Sequence, residues 1–101
     1  MRERDLEKKL VDGVRKTGGR AYKFVSPGND GVPDRIVVLY GRIIFVELKT
    51  LAGKLTRLQS SQITRLRILG QDVRVLYGET AVEDFVEECR FWQEGGEKSV
   101  L

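Results

Sequence analysis

The chain has no histidine among its 101 residues. That absence removes the Ser-His-Asp triad, the imidazole metal ligand and the histidine general base from consideration. One cysteine, Cys89, can form neither an internal disulfide nor a zinc site. The N-terminal stretch MRERDLEKKL is too charged for a signal peptide, and no apolar run approaches membrane-spanning length. The expected setting is the cytoplasm, with no membrane partner. Charge of one sign is only mildly in excess: the net charge is +3 and the pI about 9.2. That suits a polyanionic partner without demanding one.

A 101-residue chain is one domain by size. The stretch that organises it runs from 31 to 50, GVPDRIVVLYGRIIFVELKT. Two apolar runs, 35–40 and 43–48, joined by Gly41-Arg42, predict a β-hairpin of largely buried strands. Three charges break the pattern. Asp34 opens the first strand after Pro33, and Glu47 and Lys49 interrupt the end of the second. Alternation puts Glu47 and Lys49 on one face. Buried charges are costly when isolated, so two acids and an amine at strand ends are either structural or a metal site. Mg2+ takes oxygen ligands and commonly shares one or two carboxylates with a substrate phosphate. The stretch therefore points toward phosphodiester chemistry.

Residues 2–17 predict an amphipathic helix with Leu6, Leu10, Val11 and Val14 inward, ended by Gly18-Gly19. A strand follows at 20–25, then a loop dense in turn formers at 26–31. Beyond the hairpin, 56–69 predicts a second helix with Leu58, Gln62, Leu66 and Leu69 near one face. A strand is expected at 72–77. A third helix opens at Thr80 with Glu83 at capping-box spacing and buries Val82, Phe85, Val86 and Cys89. The tail, 95–101, is expected to fray, leaving a single domain at 1–94. The order is αβββαβα, an α/β fold whose mixed central sheet is flanked by helices. The helix between the third and fourth strands permits a parallel crossover.

Pro33-Asp34, one intervening strand and then Glu47-Leu48-Lys49 resemble the PD-(D/E)XK nuclease superfamily, whose restriction-endonuclease-like core has the same element order. The chain more closely resembles the VRR-NUC family, in particular its small stand-alone phage and bacterial members. The resemblance is carried by the glycine pair before the first strand and KFVSPGNDGVPDRIVV at 23–38. FVELK at 45–49 and LQ with RLRILG at 58–70 extend it. It implies a fold like that of Holliday-junction resolvases and an endonuclease that hydrolyses DNA phosphodiesters to 5′-phosphate and 3′-hydroxyl ends. It further implies that Asp34, Glu47 and the backbone carbonyl of Leu48 hold Mg2+ or Mn2+. Glu7 matches the family's helix glutamate and would bind a second ion or the water on it, with Glu3, one turn earlier, as the competing residue. Gln59 matches the helix glutamine and would contact phosphate or position Lys49, Gln62 being the alternative.

Lys49 is a compact charge with three donors, suited to orienting the attacking water and stabilising charge on phosphate. Two nearby carboxylates favour its charged form, so this role is expected over that of a base. Lys23, Ser26 and Asn29 flank the site loop and could touch phosphate. Basic residues cluster at 2–9, 15–23 and 49–67 with no base-reading motif, so contact with phosphates and not sequence is expected. Symmetrical cutting of two strands needs two sites, which a C2 homodimer supplies. Phe91 and Trp92 are a candidate dimer surface, the alternative being that they cover the end of the core. The alternative from another class is a non-catalytic DNA-binding or assembly module on the same fold.

Overall fold

Gly41 turns strand β2, Arg35–Leu39, back into β3, Arg42–Lys49. Its φ of 67° lies in the left-handed region, which a residue without Cβ enters at no steric cost. Arg42 already pairs with Leu39, so the turn is Tyr40-Gly41, one residue earlier than expected. The computed structural model describes residues 1–95, so the tail expectation lies, from residue 96 on, outside the described residues.

Around this hairpin stand α1 (Glu3–Lys16), β1 (Arg20–Lys23), α2 (Arg57–Ile68), β4 (Val73–Tyr77) and α3 (Gly78–Gln93). The sheet order is β1-β2-β3-β4. β1 and β3 flank β2 antiparallel, and β4 lies parallel to β3 after the crossover through α2.

Alternation sorts the sheet into two faces. Ala21, Val37, Leu39, Ile44, Val46, Leu48 and Leu76 join one buried cluster. α1 closes it with Leu6, Leu10 and Val14, and α3 with Val82, Phe85, Val86 and Cys89. Burying each such side chain stabilises by roughly 1.5–3 kcal/mol. Cys89 is a core residue, its thiol pushed up to about 12, chiefly by burial. Glu47 and Lys49 have the opposite parity in β3 and face the side where α2 lies.

Three expectations need correction. α3 begins at Gly78 behind Tyr77, so Thr80 and Glu83 are already inside the helix and form no cap. α2 buries only Ile63, leaving Leu58 and Leu69 more than half exposed, because the sheet covers the helix along one narrow line. Trp92 packs against the core, with Arg42 stacked 3.9 Å from its ring centre, so only Phe91 of the candidate dimer pair is exposed.

Candidate metal centre

β2 begins at Arg35, whose partner is Val46. Two residues further along β3, the Leu48 N–H donates to Asp34 Oδ2 at 2.9 Å. A side-chain carboxylate thus stands where a strand carbonyl would, and Asp34 is pinned beside Glu47. Gly31 makes the approach of the preceding loop possible. A Cβ there would lie 2.6 Å from the Leu58 carbonyl carbon and 2.9 Å from the Gln59 nitrogen, at a φ of +89°.

Glu47 is 1% exposed. Gln59 Nε2 donates to its Oε2 at 3.0 Å, and Lys49 Nζ sits 3.7 Å from the same oxygen. Its other oxygen, Oε1, is buried with no hydrogen-bond partner among the described residues. Burial, then the neighbouring Asp34, push the Glu47 carboxyl up to about 7, with Glu3 adding to the rise and Lys49 opposing it. Carboxylate oxygens of Glu3, Asp34 and Glu47 all lie within 4.8 Å of one another.

The structure therefore brings Asp34, Glu47, Lys49 and Gln59 together, and Glu3 with them. It does not bring Glu7. Arg35 shares the helix-covered face with Val46, and its Nε and Nη2 donate to Glu7 Oε1, while its Nη1 donates to the Ala21 carbonyl. Lys23 Nζ is 3.8 Å from the same Glu7 oxygen. Glu7 is held by a cation on the sheet, and Glu3, about 6 Å nearer the N-terminus, is the helix glutamate whose carboxylate meets the cluster. Glu7→Ala should lower stability by about 2 kcal/mol through the loss of a half-buried charge-assisted pair. Glu3→Ala should leave stability unchanged and weaken Mn2+ binding. Denaturant melts and calorimetric titration of each variant check the assignment, and the reverse pattern would restore Glu7.

Gln62 Nε2 donates to the Asp30 carbonyl at 3.3 Å and fastens the loop, with no bond to Glu47. Asn29 Nδ2 donates to Ser26 Oγ at 3.0 Å, so these two serve the turn. Thr56 was not singled out from the sequence. Its Oγ1 accepts from Gln59 N–H at 3.1 Å, and Gln59 Oε1 accepts from Thr56 N–H at 2.9 Å. With its oxygen committed to the cap, the Gln59 amide presents its NH2 to Glu47. The T-x-x-Q spacing was the available signal.

Three crowded carboxylates, one of them with a buried oxygen that has no hydrogen-bond partner among the described residues, form a donor set that a hard divalent cation satisfies. Oxygen donors alone match Mg2+ or Mn2+ and give no preference for soft metals.

No family model matches the chain. It is 56% identical over 77 residues to "Putative nuclease p44" of Acyrthosiphon pisum secondary endosymbiont phage 1, covering 75% of this chain and 83% of that one. A solved VRR_NUC domain superposes with a TM-score of 0.78 at 30% identity, over 84% of this chain and 94% of that one. The Hjc Holliday junction resolvase of Archaeoglobus fulgidus superposes with a TM-score of 0.55 at 20% identity, over 73% of this chain and 66% of that one. The last likeness is one of fold.

Proposed function

The chain belongs to the VRR-NUC family of PD-(D/E)XK nucleases, and on that premise we propose that it is a Mg2+- or Mn2+-dependent DNA endonuclease that acts as a homodimer on four-way, Holliday-junction-like DNA. The observation that carries the metal is the meeting of Glu3, Asp34 and Glu47 within 4.8 Å beside the buried, partnerless Glu47 Oε1. The junction is supported by the fold shared with a Holliday junction resolvase. A domain with one site cuts one strand, and a two-fold dimer cuts two. A phage relative supports action in a host cell's cytoplasm.

Asp34, Glu47 and Glu3 would hold the ion, with the Leu48 carbonyl as a further oxygen donor. A divalent ion there supplies Lewis acidity toward the scissile phosphate and its attacking water. Lys49, whose side chain is 11% exposed, keeps its ammonium at the cluster with donors to spare. It orients the water for in-line attack on phosphorus and stabilises the charge that grows on the phosphate oxygens. Gln59 restrains Glu47 by holding Oε2, which leaves Oε1 as the free donor atom.

The test is a cleavage panel of four-way junctions, flaps and linear duplex with Mg2+ and with Mn2+. Paired nicks in the four-way junction, faster than in linear duplex and abolished by chelator, are expected, with light scattering reporting a dimer. No cleavage of any substrate with either ion would remove the endonuclease reading. Salt-sensitive DNA binding that survives Asp34→Ala and Lys49→Ala, without cleavage, would make the chain a binding module.

A further inference from the structure

The positive charge of this chain is unevenly placed. Between 48 and 71 there is no Asp or Glu, but five cations: Lys49, Lys54, Arg57, Arg65 and Arg67. The remainder holds thirteen basic and fifteen acidic residues, a net −2 against the whole chain's +3. One segment therefore accounts for the basic character of the molecule, and α2 is its core.

Two of those cations have structural duties. Lys49 belongs to the metal centre, and Arg67 Nη2 donates to the Val73 carbonyl at 2.7 Å. Arg57 and Arg65 do not: neither guanidinium is engaged with another group among the described residues. With Ser60, Ser61 and Thr64 they fall at i, i+3, i+4, i+7 and i+8, one exposed stripe that flanks a shallow groove. Eight residues of helix span about 12 Å, a length over which duplex DNA carries about seven phosphates. Guanidinium and hydroxyl donors are the groups that bind phosphate oxygens. The same helix carries Gln59 on its opposite, sheet-facing side, bonded to Glu47, so the stripe lies about one helix diameter, roughly 10 Å, from the metal centre.

We propose that the outer face of α2, formed by Arg57, Ser60, Ser61, Thr64 and Arg65, is where a DNA phosphate backbone docks, across the helix from the cleavage site; this rests on the nuclease reading above. A second copy of the chain is the competing occupant, since Ile68 and Leu69 extend the stripe with exposed apolar surface. A two-fold contact through this face would set α2 against its own copy, cation against cation, with no acidic residue on the helix to compensate.

The experiment is anisotropy of a short labelled duplex titrated with the full chain, in chelator, over a range of salt. Arg57→Gln with Arg65→Gln should reduce the slope of log K against log salt by about 2. Arg57→Lys with Arg65→Lys should keep it, and so should Arg90→Gln on α3, which removes a charge outside the three basic stretches. Thermal melts of each variant verify folding. An unchanged slope in the Arg-to-Gln variant overturns the docking face, whether or not the wild type cleaves DNA. A change in oligomeric state with the slope intact overturns it in favour of a second copy. A reduced slope sustains it even if the cleavage panel is negative, in which case the catalytic reading alone fails.

Discussion

Lys49→Ala should abolish cleavage while leaving the fold and the divalent ion in place. Among the described residues Lys49 is the only cation in an ion pair with Glu47, its Nζ 3.7 Å from Oε2, and its side chain is 11% exposed. If it orients water and balances charge on the phosphate, its removal takes away a preorganised donor, and such donors are worth roughly 100- to 1,000-fold in rate. The oxygen ligands stay. Calorimetry should therefore still detect Mn2+ binding to Lys49→Ala, whereas Asp34→Ala should lose both binding and cleavage. Lys49→Arg should recover little, because a planar fork on a longer stem does not reproduce a compact point charge. Cleavage by Lys49→Ala within tenfold of the wild type would remove this residue from the chemistry.

Much of this arrangement was legible because two periodicities dominate it. The period-2 runs of β2 and β3 fixed the hairpin and put Glu47 and Lys49 on one face, and the stripe of Leu6, Leu10 and Val14 fixed α1. Family resemblance added Gln59, which does reach Glu47. What periodicity does not resolve is one helical turn. Glu3 and Glu7 share a face of α1, and the choice between them is made by Arg35, which follows Glu7 by 28 residues and captures it. α2 misled for a related reason. Leu58, Leu66 and Leu69 look like an inward stripe, but a helix touching a sheet along one line needs only Ile63, and its orientation is set by Thr56 and Gln59 at its start. At α3 the Thr80–Glu83 spacing was genuine but idle, since the chain enters the helix directly from β4 at Gly78.

Glu47→Gln should stabilise the metal-free protein at pH 8 and have no such effect near pH 4. The folded-state carboxyl titrates near 7 against an ordinary value of 4.5, raised first by burial and then by Asp34. Between those values the folded state binds more protons than the unfolded state, so stability falls as pH rises from 4.5 to 7 and levels off above. The accumulated loss is about 3 kcal/mol at 1.36 kcal/mol per unit. A neutral amide at 47 escapes it and can still accept from Gln59. In chelator at pH 8 the variant should therefore melt roughly 12–24 °C higher than the wild type, the two converging as pH approaches 4.5. Mn2+ should invert the order. A divalent ion compensates the three carboxylates of the wild type, raising its melting temperature, and does so more strongly as pH passes 7 because Glu47 must give up its proton. The variant, one charged ligand short, should gain little and cleave nothing. A lower melting temperature for Glu47→Gln at pH 8 in chelator would mean that the Glu47 charge is already compensated within the protein, and the case for a cation at this cluster would lose its electrostatic basis.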